Sequence, residues 1–182
     1  RIHAMQWEAV PLPADVAKEV ERDLAQAGIH VFSNASAYRM DEQVPILIPE
    51  VNHPHLALAR EQLQDSKGFI ITNANCTTTG LTLALLPILS LGIKKLVVAS
   101  YQAISGAGYP GVPAMDISGN VIPYIDGEEP KMLKECAKIF GVVNGTTIKP
   151  ADWEIHAHCV RVPTLVGHLI SVHAEVETAT TF

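Results

Sequence analysis

Apolar residues Val16, Ala17, Val20, Leu24 and Ala27 recur at helical spacing, with Lys18, Glu19, Glu21, Arg22 and Asp23 between them. That periodicity predicts an amphipathic helix over 16–27 with those apolar residues on its buried face. Gly28 stands where a helix C-terminal cap belongs, and Pro11 and Pro13 break the stretch before the helix. Residues 30–33 read as a short strand, and 45–51 as a second extended piece that Pro45 and Pro49 confine to an edge or a loop. A helix follows over 55–64, then a compact buried strand over 68–72. The polar turn 73–80 feeds an apolar helix over 80–90, and 95–101 is a strand with Leu-Val-Val-Ala at its centre. Residues 105–111 form a glycine-rich loop, and 128–140 a helix with an acidic start that ends at Gly141. Runs 155–162 and 169–176 read as two strands joined in a hairpin. Strands alternating with helices, followed by strand-rich sequence, predict an α/β piece and then an α+β piece.

Composition narrows the function classes. The 182 residues are 48% hydrophobic, which suits a packed globular chain rather than a disordered one. Thirteen basic against nineteen acidic residues give a net charge of −6, so a basic nucleic-acid footprint is not expected. Apolar stretch 81–91 is interrupted by Thr82, Pro87 and Ser90 and falls short of the roughly 18–20 residues of a membrane span. Cys76, Cys136 and Cys159 are irregularly spaced, which predicts neither a disulfide framework nor a metal site. The expectation is a soluble, cytoplasmic α/β protein with no signal peptide before Arg1. Its first 30 residues read as the continuation of a domain already begun.

Cys76 is the strongest candidate for chemistry. It lies between a buried strand and a helix start, where free N–H groups and the helix dipole favour a thiolate. The same N–H groups, with Asn75 beside them, suit the oxyanion of a tetrahedral intermediate. The competing reading is an inert buried cysteine, which is the reading preferred for Cys136 and Cys159. A cysteine nucleophile needs a base. His3, His30, His53 and His55 read as surface or loop residues, while His156, His158 and His173 alternate within strands toward solvent or a partner. His168 follows Gly167, where the hairpin would present it at a rim, and Arg161 stands seven residues earlier. A guanidinium beside an acid–base histidine suits an anionic substrate, although an ordinary surface hairpin fits the same residues. The loop Ser105-Gly-Ala-Gly108 lets a backbone approach a ligand, but it is not a Gly-x-Gly-x-x-Gly fingerprint, and that motif is absent from the chain. Glu128-Glu-Pro-Lys131 reads as a solvated helix start, with Lys131 able to meet an anion.

Taken in order, these motifs resemble the aspartate-semialdehyde dehydrogenase family, its fungal and archaeal branch most of all. Asn73-Ala-Asn-Cys76 with Thr-Thr-Thr-Gly-Leu after it resembles the family's active-site turn. Residues 31–41 resemble its Ser-Asn-Ala segment, 101–111 its glutamine-containing glycine loop, and Glu128–Lys131 and Arg161–His168 match in type and spacing. The resemblance implies a partial Rossmann-type NADP-binding domain over 1–76 and an α+β catalytic and dimerisation domain with a mixed sheet over 77–182. It implies that Cys76 forms a thioester, His168 is the general acid–base and Gln102 orients the intermediate. Arg161 would bind the substrate carboxylate and Glu128 its ammonium. Arg39, Lys131 and Asn75 would hold phosphate, and Ser33, Asn34, Ser105, Gly106 and Gly108 would line the NADP site. The implied reaction is NADPH-dependent reduction of L-aspartyl 4-phosphate to aspartate semialdehyde, feeding lysine, threonine and methionine synthesis, in a homodimer or homotetramer.

Two departures accompany the resemblance. Thr164 stands where the family carries an aliphatic residue. The family's Gly-Ala-Thr-Gly-x-Val-Gly phosphate loop and its C-terminal helix have no counterpart in these residues, so a longer polypeptide is expected, and these 182 residues alone are expected to bind NADP weakly and not to turn over. The alternatives are a related acyl reductase such as a malonyl-CoA reductase, whose substrate offers Glu128 no amine, and a non-catalytic remnant that dimerises through its strand-rich half.

Overall fold

The computed structural model of the chain describes residues 14–178; the expectations placed on Pro11, Pro13 and His3 lie outside them. The elements, in chain order, are α1 (Ala14–Gln26), β1 (Val31–Ser33), α2 (Pro49–Asn52), α3 (Leu56–Asp65), β2 (Ile70–Thr72), α4 (Cys76–Leu85), β3 (Ile93–Gln102), α5 (Ala114–Ile117), α6 (Glu128–Ile139), β4 (Val142–Asn144), β5 (Thr147–Lys149), β6 (Glu154–Arg161) and β7 (His168–Val176). They fall into two compact units: residues through Asn75 together with Ala137–Ala151, and Cys76–Cys136 together with Asp152 onward. Helix α6 runs across that division.

In the first unit, β1 and β2 pair in parallel with Val31 opposite Ile70 and Ser33 opposite Thr72. Ile46 extends the same sheet through a parallel bridge to Thr72. A parallel pair needs a crossover, which α2 and α3 supply, so this is one βαβ layer of a Rossmann-type sheet. The extended piece expected over 45–51 is shorter than its pattern suggests. Pro49 sets the backbone for the first turn of α2, and the chain turns helical there. Gln62 of α3 ties the helix to the sheet: its amide donates to the carbonyls of Gln43 and Ile70, and its oxygen accepts from Ile70 N–H. Helix α1 ends where its sequence says it should, with Gly28 at φ +94° donating to Ala25 O. Its buried face differs from the expected one. Ala17, Glu21 and Ala25 are buried, whereas Val16, Val20 and Leu24 remain 37–44% exposed. The small alanines allow close packing, and Glu21 is drawn inward by a hydrogen bond from Ser33 Oγ.

In the second unit, β3 is the central strand of a mixed sheet ordered β6-β3-β7, parallel to β6 and antiparallel to β7. The hairpin expected between 155–162 and 169–176 is therefore not formed. Both strands prefer the long, apolar β3, and segment 162–167 carries the chain past its end. Leu96, Val98, Ser100 and Gln102 of β3 are buried on one face. Val97 and Tyr101 lie 45% and 40% exposed on the other, with Leu169 opposite Tyr101. Helix α4 begins at Cys76 rather than Gly80. Thr77 and Thr78, which read as turn residues, are fully buried in its first turn instead. Among the described residues, no helix is long and apolar enough to cross a membrane.

Candidate active site

Strand register assembles the site in the second unit. Gln102, the last residue of β3, stands opposite Arg161 at the end of β6 and opposite His168 at the start of β7. Three candidates separated by up to 66 positions thus form one row across the sheet, on the side buried by the alternation of β3. The connection over the end of β3 is strapped down by Val162 N–H to Gln102 O, Ile104 N–H to Thr164 O and Ser105 N–H to Leu165 O.

His168 Nε2 lies 3.2 Å from Cys76 Sγ. Its other ring nitrogen is 2.8 Å from Gly167 O and 3.1 Å from Ala103 N–H. Protonated Nδ1 donates to the Gly167 carbonyl and leaves the Nε2 lone pair facing the thiol. Unprotonated Nδ1 accepts from Ala103 and puts the proton on the sulfur side. Both neutral tautomers are therefore held in one ring orientation. Cys76 is exposed at the start of α4, while Cys136 and Cys159 are fully buried. Burial pushes the Cys136 thiol up to about 12, with the neighbouring Glu135 adding to the rise, and burial raises Cys159 as well. Those two sulfurs are packing residues, as their patterns suggested.

Gln102 is 1% exposed and donates its amide to Glu128 Oε1 at 3.2 Å. Glu128 is the first residue of α6, itself buried, with Lys131 Nζ 3.8 Å from its other oxygen. Arg161 is buried and donates to Ala103 O at 2.8 Å. Gly106 explains the glycine loop in physical terms. A Cβ there would lie 2.8 Å from Arg161 Nη1 and 3.1 Å from His168 Nε2, so a side chain has no room. Ser105, Gly106 and Gly108 are exposed, and nothing lies within 4 Å of the Cβ direction at Gly108, whose φ is +68°. The loop offers bare backbone beside His168, which fits the approach of a flat cofactor ring. Cys76, Gln102, Glu128, Lys131, Arg161, His168 and the loop glycines all belong to this one unit.

Ser33, Asn34, Arg39 and Asn75 belong to the first unit. Ser33 Oγ donates to Glu21 and accepts from Ala35 N–H, so this hydroxyl is engaged within the fold. Asn34 accepts from Arg39 Nη2 on its carbonyl at 2.8 Å and from the Asn73 amide on its side chain. Asn75 is half-buried at the end of the turn that leads to Cys76.

Two polar residues with central positions escaped the sequence reading. His55 is buried rather than at the surface: it meets the Asn52 amide at Nδ1 and Gly141 O at Nε2, and burial lowers its pKa. Lys138 is buried in the last turn of α6, its ammonium donating to the carbonyls of Arg39, Asp41 and Val44.

The chain matches two family models: "semialdehyde dehydrogenase, NAD binding domain" over residues 8–59 and "semialdehyde dehydrogenase, dimerisation domain" over 85–182. It is 52% identical over 168 residues to the aspartate-semialdehyde dehydrogenase of Archaeoglobus fulgidus, covering 91% of this chain and 49% of that protein. To the enzyme of that name from Cryptococcus neoformans it is 43% identical over 167 residues, covering 86% of this chain and 46% of that one. The crystal structure of aspartate semialdehyde dehydrogenase with NADP from Candida albicans superposes with a TM-score of 0.86 at 34% identity, over 96% of this chain and 51% of that chain. The chain spans about half the length of the curated relatives it matches.

Proposed function

The chain belongs to the semialdehyde dehydrogenase family, and from that premise we propose that it carries the reaction centre of an NADP-dependent aspartate-semialdehyde dehydrogenase. The reaction is reductive dephosphorylation of L-aspartyl 4-phosphate to L-aspartate 4-semialdehyde. The observation that carries this reading is the 3.2 Å approach of Cys76 Sγ to His168 Nε2 in the row that also holds Gln102 and Arg161.

His168 Nε2 takes the thiol proton while Nδ1–H holds the Gly167 carbonyl, and the sulfur attacks the acyl carbon. A C–S bond forms, the bond to phosphate oxygen breaks, and His168 passes its proton to the departing phosphate. The exposed Ser105–Gly108 loop would hold NADPH beside His168, and the cofactor would supply the hydride for reduction of the thioester. The C–S bond then breaks, the semialdehyde leaves, and the Cys76 thiolate regains its proton through His168. Arg161, fixed by Ala103 O, keeps further N–H donors for the substrate carboxylate. Glu128 supplies the anion for the substrate ammonium and orients Gln102 next to the reacting carbon. Arg39, Asn75 and Lys131 suit a phosphate ligand by residue type. Residues of the βαβ unit serve cofactor binding, and the second unit serves catalysis and association with a second copy. The exposed sheet face bearing Val97, Tyr101 and Leu169 supports that association.

The test uses the complete polypeptide with NADP⁺, aspartate semialdehyde and phosphate, followed by NADPH absorbance. Phosphate-dependent turnover is expected, and Cys76→Ala should reduce kcat by about a thousandfold or more. Turnover of malonyl-CoA with NADPH, and none of the semialdehyde, would overturn the reading.

A further inference from the structure

The segment that presents Arg39 has little regular structure of its own. Residues 36–44 are a run of turns: Arg39 N–H bonds to Ser36 O, Asp41 N–H to Tyr38 O and Val44 N–H to Asp41 O at 3.1–3.4 Å. Such turns leave carbonyls pointing inward with no ladder to satisfy them. Lys138 meets them. Its ammonium donates to Arg39 O at 2.7 Å, Asp41 O at 2.6 Å and Val44 O at 2.6 Å, and the residue is 6% exposed. An ammonium carries three donors on one atom, so three converging carbonyls match it. One of these carbonyls is that of Arg39 itself. From the other side, Tyr38 is anchored through its hydroxyl to Lys18 O at 2.6 Å. The Arg39 guanidinium then leans on Asn34 O, and its direction depends on where the main chain at 39 is held.

We propose that Lys138 is a positioning residue for anion binding: it gathers the carbonyls of Arg39, Asp41 and Val44 so that the Arg39 guanidinium is held ready for the phosphate group of substrate or product. This rests on the reading of Arg39 as a phosphate ligand. Lys138 touches no reacting atom and acts through the backbone of the 39–44 segment. A guanidinium in its place is planar and spreads its donors over three nitrogens, and a glutamine offers two donors on a shorter side chain, so neither reproduces the three-way contact.

The experiment measures kcat and separate KM values for phosphate and for the semialdehyde in the complete polypeptide, comparing wild type with Lys138→Met, Lys138→Gln and Arg39→Gln. Lys138→Met is expected to raise the phosphate KM by about tenfold or more, with kcat within about threefold and the semialdehyde KM unchanged. Lys138→Gln is expected to lie between Met and wild type, and it carries the test if the Met variant does not fold. A phosphate KM at the wild-type value in the folded variant, or a fall in kcat with both KM values raised alike, would overturn the proposal. Arg39→Gln separates the two claims. If it raises the phosphate KM and the Lys138 variants do not, the positioning role alone fails. If it leaves the phosphate KM unchanged, the reading of Arg39 fails and the role of Lys138 with it.

Discussion

The two units hold their chemistry-bearing side chains by different means. In the second unit, Gln102, Arg161 and His168 stand in one row because three long strands are in register. Each position inherits its geometry from a ladder of backbone hydrogen bonds, and the connection over the strand end adds a few more. In the first unit, strands β1 and β2 are three residues long, and Arg39 lies on a run of turns beyond them. Order there comes from buried polar side chains that reach from helices into loops. Lys138 gathers three carbonyls, Asn52 bridges Ile48 N–H and Ile46 O, and His55 joins Asn52 to Gly141 O. A site built on sheet register tolerates a change in any single polar group outside the row. A site built on a loop depends on a few fully satisfied hydrogen bonds, because one buried group left unpaired costs about 1–3 kcal/mol.

The largest loss is expected in the core of β3. Leu96 is fully buried and paired with Ile155 and Ala174 on either side. Leu96→Ala should lower stability by about 2–5 kcal/mol in a denaturant titration, with backbone protection falling throughout β6-β3-β7. A loss below about 1 kcal/mol would mean that the row does not depend on the packing of Leu96.

In the first unit a smaller loss is expected at His55. His55→Gln removes the ring that links Asn52 to Gly141 O, and should destabilise by about 1–3 kcal/mol at pH 8. Its pH signature is more specific. Burial holds the folded-state pKa of His55 below its ordinary 6.5, with the charge of Lys138 adding to the depression and the Gly141 hydrogen bond opposing it. Below pH 6.5 the unfolded chain therefore binds a proton that the native state resists. Stability is unaffected by this group above that pH, and falls as pH drops from there toward the depressed folded value. Melting temperature measured from pH 8 to pH 5 should fall more steeply in wild type than in His55→Gln. Parallel curves would mean that His55 does not resist protonation in the folded protein.

What the sequence disclosed follows the same division. Periodicity located α1, α3, β3, α6, β6 and β7 to within a few residues, because each has a local apolar pattern. It could not disclose that β3 lies between β6 and β7, since strand order depends on which partner buries more surface. That one fact turns a hairpin rim into a row. Cys76 and His168 were legible from local chemistry and resemblance, although 92 positions separate them. His55 and Lys138 were not, because a histidine near a proline and a lysine in the last turn of a helix ordinarily face water. Glu21 misled for the same reason, and took the expected face of α1 with it. In all three, a hydrogen-bonding partner distant in sequence turns the residue inward.

The proposed mechanism rests on activation of Cys76 by His168, 3.2 Å from its sulfur. Comparing Cys76 with Cys136 and Cys159 alone would read exposure, since the latter two are fully buried. The direct measurement is the rate of Cys76 alkylation by iodoacetamide at neutral pH, followed by mass spectrometry, in wild type and in His168→Asn. Cys76 should react first in wild type, and the substitution should slow it by about tenfold or more while the fold persists. Equal rates in the two proteins would contradict that activation.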